Sequence, residues 1–312
     1  MANYRFAALD ARPIPAAQAA NDVIFAEAPH GVLGIEVTVP ALAGRCVLGN
    51  IDPQHTGGDA SHAAIEEALT VPLPPDGATL ATVRPDLDSV GAMACLDLLA
   101  EGVDLTPARE RIAAIAAADT FARGGWPGPQ PLPTTANPWP SEGAADGTRS
   151  LAAMAACVAD FRVPLAERVA AMETWLLTGA EPEGYRVRVE AERADLVRAL
   201  ETGEISVSLV ADDRIAVVES THRAATAVGY AHAPVVVAKN PAFRVGSGEP
   251  HTKFTVCVFE LGKFADIKSA LTELAAIEPG WGGSPTIGGS PQGVSSQLTT
   301  EQVVEVVARH LK

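Results

Sequence analysis

Short apolar runs alternate with longer mixed segments through the first 120 residues. VIFAEA, LGIEVTVP and RCVLGNI are rich in Val, Ile and Leu and are punctuated by Gly and Pro, which predicts strands. ASHAAIEEAL (60–69) predicts a helix, ended by the proline cluster VPLPPDG. ATLATV (78–83) predicts a short apolar strand, and SVGAMACLDLLAEG (89–102) an amphipathic helix closed by Gly102. TPARERIAAIAAADTF predicts another helix, with Thr106 as N-cap and Pro107 in its first turn. Residues 150–179 and 184–201 carry helical periodicity, with Gly179 closing the first. The texture changes near Gly203. ISVSLVADDRIAVVES predicts a hairpin turning at Asp212–Asp213, and APVVVAKN and KFTVCVFEL predict further strands. FADIKSALTELAAI predicts a helix. A last helix starts near Thr300, where Thr299 and Gln302 have capping-box spacing.

This order predicts an α/β layered N-terminal domain with a largely parallel sheet and a smaller α/β C-terminal domain. The boundary is expected between about 180 and 203, giving domains of 1–195 and 203–312. Residues 124–149 hold seven Gly or Pro in their first ten positions and predict a long loop.

Composition narrows the function. There are 312 residues, 47% of them apolar, which is enough for a substantial core. Acidic residues number 38 and basic residues 23, for a net charge of -15. That balance argues against long nucleic acid and against an anionic membrane surface. A small phosphorylated substrate stays open, because a metal ion can supply positive charge locally. Cys46, Cys95, Cys157 and Cys257 are widely separated, without C-x-x-C spacing, and read as buried thiols in a reducing compartment. The N-terminal stretch has no apolar run of signal-peptide type, and no segment reaches membrane-spanning length. The expectation is a cytoplasmic protein; a homo-oligomer stays open.

TVRPDLDSVGA (82–92) sets two carboxylates two residues apart between a strand and a helix. In open α/β sheets, ligands sit at the carboxyl ends of strands. Asp86 and Asp88 suit a hard cation such as Mn²⁺ or Mg²⁺ in an extended turn, where side chains two apart share a side. Gly91 would let a bound group approach the helix's first turn. Capping is the other reading, and one Asp with Ser89 satisfies it without metal. NIDPQHTGGD (50–59) places Asp52 and His55 after another apolar run, and His55 among Thr and Gly suits a functional loop better than a core.

PDLDSVGA (85–92) resembles the first motif of the DHH/DHHA1-type phosphoesterase superfamily, a P-D-x-D-[AS]-x-G-[SA] turn that supplies metal ligands. The family's preceding histidine is replaced here by Thr82, Val83 or Arg84, and there is no D-H-H triplet. The resemblance implies metal ligation by Asp86 and Asp88, with Asp119 as the family's lone aspartate. Asp52 and His55 would stand in for the triplet in altered order. His55 and Asp119 are then the catalytic candidates. The implied activity is hydrolysis of a phosphoester in a nucleotide-like or other small phosphorylated substrate, by a hydroxide on the metal.

GWGGSPTIGGSPQG (280–293) has six glycines in fourteen residues and precedes a capped helix. Glycine-rich turns form anion-binding nests. The segment resembles the family's C-terminal glycine-rich substrate motif, with Ser284 where a histidine is expected. Substrate binding is therefore assigned to Gly282, Gly283, Ser284, Gly288 and Gly289, with His222 and Arg223 as the charged pair, and the active site to a cleft between the domains. His251 and Lys253 are further candidates. The competing hypothesis is a non-catalytic protein that binds a phosphorylated ligand without a complete metal site; metal content separates the two. No P-loop, G-x-S-x-G elbow or H-E-x-x-H occurs.

Overall fold

The computed structural model describes residues 4–53, 62–119, 125–139, 146–244 and 248–312. They form two compact α/β units. The first comprises 1–123 and 145–190, the second 124–144 and 191–312. These bounds differ from the expected 1–195 and 203–312 in two ways. The division falls inside a helix, and the Gly/Pro-rich segment groups with the C-terminal unit. Trp126 explains that grouping in part, since its indole N–H donates to the carbonyl of Tyr230 at 2.8 Å.

In the N-terminal unit the order is β1 (Arg5–Ala8), α1 (Pro15–Ala26), β2 (Val32–Ile35), α2 (Pro40–Ala43), β3 (Asn50–Ile51), α3 (Ala64–Glu67) and β4 (Thr79–Thr82). Then follow α4 (Leu87–Ala100), α5 (Arg109–Asp119), α6 (Asp146–Val158) and α7 (Leu165–Thr178). The sheet order is β1-β4-β2-β3, and every pairing is parallel. Alternation sends Leu33, Ile35 and Leu80 into one core with Met93, Leu96, Ile115 and Trp175. Val32 and Ala81 face the opposite core, with Leu9, Val37 and Leu42. A parallel sheet covered on both faces explains why its strands read as nearly continuous apolar runs.

Several expectations need correction. VIFAEA is the end of α1, not a strand. Pro15 in the first turn and the Ala-rich stretch that follows favour a helix over Val-Ile strand propensity. The third helix is α5 from Arg109, preceded by a 3-10 turn at Thr106–Ala108. Leu105, not Thr106, holds the N-cap position of that turn, without a side-chain cap bond; Asp104 accepts from the backbone N–H and the hydroxyl of Thr106 at 2.9 and 2.7 Å. Helix α4 is not amphipathic: every residue from Asp88 to Leu96 is buried.

The C-terminal unit takes up the second half of α8 (Tyr185–Glu201), then β5 (Ser206–Val210), β6 (Ile215–Glu219), α9 (Ala225–Tyr230), β7 (Val235–Phe243) and β8 (His251–Val258). It ends with α10 (Ile267–Ile277), β9 (Gly282–Gly283), β10 (Ile287–Gly289) and α11 (Thr300–Arg309). The six-stranded sheet has the order β5-β6-β7-β8-β10-β9. Only β6 and β7 pair in parallel, through the α9 crossover. The β5–β6 hairpin turns through Ala211, Asp212 and Asp213, all at positive φ. Ile215, Val235, Val237 and Phe254 pack on α10 and α11, while Ala216, Val218 and Val236 face α9. Thr299 caps α11, with Gln302 returning the bond as the capping box requires. No described helix is long and apolar enough to cross a membrane.

Candidate functional site

Parallel strands bring their carboxyl ends to one edge of the N-terminal sheet, and acidic residues follow three of them. Glu36 comes directly after β2 and Asp52 directly after β3; the last residues of these strands, Ile35 and Ile51, are register partners. Asp86 and Asp88 follow β4 at the start of α4. Asp119 is the last residue of α5. Carboxylate oxygens of Glu36, Asp88 and Asp119 lie within 4.8 Å of one another.

The local sequence explains each placement. Asn50 clamps the exit of β2: its carbonyl oxygen accepts from the N–H of Val37, and its amide donates to the carbonyl of Val37, both at 3.2 Å. Between these fixed points Glu36 takes φ 52°, the left-handed region that a residue with a Cβ seldom adopts. Strain of that kind is a mark of functional sites, costing on the order of 1–3 kcal/mol. Glu36 is 9% exposed, and no donor among the described residues meets its carboxyl.

Asp86 is the N-cap of α4. Its Oδ1 accepts from the backbone N–H of Ser89 at 3.0 Å, and the Ser89 hydroxyl accepts from the N–H of Asp86 at 3.1 Å. Asp88 serves a different helix. Its two oxygens accept from Ala64 N–H at 2.7 Å and Ile65 N–H at 2.9 Å, the opening amides of α3. Residue 63, the N-cap of α3, is an alanine and offers no acceptor, so Asp88 satisfies donors left open at that terminus. Gly91 makes this docking possible. A Cβ there would sit 2.6 Å from the Ile65 side chain, so the glycine admits α3 where a bound group was expected.

The electrostatics are those of acids crowded away from water. Burial pushes Glu36 up to about 9, helped by the charges of Asp86, Asp88, Asp119 and Asp52. Burial also raises Asp88 to about 7; its bonds from Ile65 and Ala64 oppose the rise, and Asp119 and Asp86 add to it. A divalent cation would relieve this mutual repulsion, and an all-oxygen donor set suits Mg²⁺ or Mn²⁺. The residues present fit such an ion.

Of the expected ligands, Asp88 and Asp119 therefore meet, and Glu36, which motif reasoning missed, joins them. Asp86 and the buried Asp52 lie close enough to act on Glu36 but outside the three-carboxylate group. His55 lies outside the described residues. One signal for Glu36 was available: an acid immediately after the apolar run VLGI, the same strand-end position that marks Asp52.

The expected substrate residues all fall in the C-terminal unit. His222 follows β6; its Nδ1 accepts from Ala224 N–H at 3.1 Å and its Nε2 lies 3.3 Å from Asp195 of α8. Arg223 pairs with Glu192 of the same helix at 2.5 Å. Both side chains are thus engaged by carboxylates. Gly282 and Gly283 form β9, and Gly288 and Gly289 form part of β10. Ser284 closes the turn between them, its hydroxyl accepting from Ile287 N–H at 3.2 Å. Tight packing accounts for two of these glycines. A Cβ on Gly283 would lie 2.3 Å from the Gly288 Cα, and one on Gly288 would lie 2.3 Å from a Leu271 methyl.

Neither a scan against protein-family models nor a search of curated proteins finds a match. Among solved structures, the chain is similar to a pGpG-specific phosphodiesterase, PggH from Vibrio cholerae. Identity is 12% and the TM-score 0.44, over 89% of this chain and 98% of that one.

Proposed function

We propose that this protein is a metal-dependent phosphoester hydrolase acting on a small phosphorylated, nucleotide-like substrate. Glu36, Asp88 and Asp119 would hold Mn²⁺ or Mg²⁺, with Asp52 and Asp86 adding negative charge beside them. The observation that carries this reading is the convergence of three carboxylates at the carboxyl edge of a parallel sheet, one of them on a strained backbone. The PDLDSVGA turn supports the phosphoester class. A bound divalent cation supplies Lewis acidity and makes a water molecule a stronger acid.

The chain's own groups have separable roles. Asp88 is pre-positioned by two backbone N–H bonds, so it need not reorganise when a cation arrives. Glu36 keeps its proton when no cation is present, and loses it to bind one. Asp86 fixes the first turn of α4 and so the direction of Asp88.

The test is elemental analysis of the purified protein beside an Asp86→Ala/Asp88→Ala variant, followed by a phosphoester screen. A near-stoichiometric divalent ion that is absent from the variant, together with phosphate release that EDTA abolishes, is the expected result. An unmodified protein that takes up no metal after incubation with Mn²⁺ would sink the reading.

A further inference from the structure

An anionic substrate approaching the carboxyl edge of the N-terminal sheet meets Glu36, Asp52, Asp86, Asp88 and Asp119, and needs a positive charge there to dock. The segments leaving β1, β2 and β4 at this edge contain two basic residues, Arg12 and Arg84. Arg12 is paired with Asp10 at 2.6 Å. Arg84 is exposed, and its guanidinium makes no hydrogen bond, ion pair or ring contact among the described residues. Most other arginines of the chain are tied to a carboxylate, a carbonyl or a ring, as Arg45 is to Asp22 and Arg193 to Trp139.

The backbone of Arg84 is fixed where its side chain is free. Its N–H donates to the Thr82 hydroxyl at 3.2 Å, and the Ser89 hydroxyl lies within donating distance of its carbonyl, at 3.0 Å. Pro85 follows, is buried, and restricts Arg84 to extended backbone. The side chain therefore springs from a set point at the exit of β4, two residues before Asp86. Coulomb attraction favours a guanidinium turning back onto such acids. Yet no cation offsets the rise of Glu36 or Asp88, which comes from burial and from other acids. Arg84 thus stands at the rim of the cluster with its five N–H donors open.

We infer that Arg84 is a substrate-binding, specificity-determining residue of this site, gripping phosphate oxygens of the substrate at the rim of the acidic cluster. This deepens the hydrolase reading proposed above and rests on it. A guanidinium fork meets two oxygens of one phosphate at once, so Arg84 selects anionic phosphate mono- and diesters over neutral esters. Its charge also offsets the repulsion between that anion and the surrounding carboxylates.

The experiment uses the full chain loaded with Mn²⁺ and freed of excess metal, unmodified and as Arg84→Gln and Arg84→Lys. Hydrolysis of bis(p-nitrophenyl) phosphate is followed over a range of salt concentrations, and binding of inorganic phosphate is measured by calorimetry. In Arg84→Gln, KM and the phosphate Kd should rise by about tenfold or more, with kcat changed by less than about threefold. Salt should raise KM in the unmodified protein and have little effect on KM in Arg84→Gln, because the screened charge is gone. Arg84→Lys should restore the salt dependence and only part of the affinity. Melting temperature should move by less than about 1 °C, since the side chain is exposed and has no partner to lose. Turnover and phosphate binding that are both unchanged in Arg84→Gln would overturn the role of Arg84 and leave the hydrolase reading intact. So would an equal loss of Mn²⁺, which would place Arg84 in support of the metal site. Phosphate binding that depends on Arg84 without any turnover would uphold Arg84 and count against the hydrolase. An unmodified protein that neither hydrolyses the ester nor binds phosphate would overturn both.

Discussion

In the N-terminal unit, Glu36 and Asp88 are buried at the ends of parallel strands with other acids as neighbours. In the C-terminal unit, Lys253 is buried on an antiparallel strand with no acid beside it among the described residues, its amine donating to the carbonyl of Ser290. Each arrangement would be unfavourable in a protein selected for stability alone. They are opposite in sign: the acids crowd one another, whereas the lysine is answered by a backbone carbonyl. Elsewhere the chain pairs its charges locally, as in Arg186–Glu181 and Arg309–Glu273. Arg168 is buried as well, donating to the carbonyl of Val158, so burial of a charge does not by itself mark a ligand site; the acidic cluster is distinguished by the convergence of three carboxylates.

The comparison breaks most visibly at Asp88. Asp88→Ala removes a central carboxylate and also the acceptor for the α3 amides. Phosphoester hydrolysis should fall by about a thousandfold or more, since metal assistance provides several kcal/mol. Stability should fall by about 1–2 kcal/mol through the lost cap. Parallel kinetic and denaturant measurements separate the two effects. Hydrolysis that persists near the original rate would show that the acidic cluster is not the site.

Glu36 sharpens the same contrast, because it carries charge but has no capping duty. Its carboxyl stays protonated below about 9 in the metal-free protein, so Glu36→Gln preserves its uncharged shape at neutral pH. Melting of the metal-free variant should change by less than about 0.5 kcal/mol equivalent. The stabilisation by Mn²⁺ should shrink, with affinity about tenfold lower or more. Thermal melts with and without Mn²⁺ give both numbers. An unchanged Mn²⁺ response would remove Glu36 from the ligand set.

Legibility in the sequence differed between the two units for physical reasons. Asp88 stood out because a strand-end, two-carboxylate turn and a helix start are local patterns. Glu36 was hidden because LGIEVTVP continues strand-like alternation through the point where the backbone turns left-handed, and the clamp that turns it, Asn50, lies on another strand. Capping by Asp88 is a contact between different helices, so spacing along the chain does not reveal it. The α/β layering and the C-terminal hairpin were legible from periodicity and turn residues. The glycines near the C-terminus read as an anion nest, yet at Gly283 and Gly288 the demand comes from neighbouring atoms in the hairpin and α10. His251 and Lys253 drew attention as charged residues at a strand start, but their burial depends on neighbouring strands and is not readable from spacing.

A second buried acid pair tests whether crowded carboxyls always mark a site. Asp97 of α4 and Glu173 of α7 share a hydrogen bond, and Glu173 is raised to about 8 by burial first and by Asp97 and Glu101 after it. These acids answer one another by sharing a proton, so no cation is called for. The folded state holds this proton more tightly than the unfolded chain, whose glutamate titrates near 4.5. The stabilisation is full below about 4.5 and is lost as pH rises through about 8. Glu173→Gln should flatten that part of the stability profile without altering Mn²⁺ binding. Melting curves from pH 4 to 9 check it, and a profile identical to the unmodified protein's would show that the pair does not share a proton.

The smallest expected effect belongs to Asp86, where capping and metal binding compete as explanations. Its Oδ1 is engaged by Ser89, and its oxygens fall outside the close group of three. Asp86→Ala should lower stability by about 1 kcal/mol, or roughly 2–4 °C, through loss of the N-cap. Serine is an equally good N-cap, so Asp86→Ser should recover most of that loss. It does not restore the negative charge beside Glu36, so Mn²⁺ affinity should remain reduced by a modest factor, about two- to tenfold. Full recovery of both properties in Asp86→Ser would make this aspartate a cap alone. Loss of Mn²⁺ binding as complete as in Asp88→Ala would instead make it a direct ligand, and the ion would sit nearer the start of α4 than the Glu36–Asp88–Asp119 group implies.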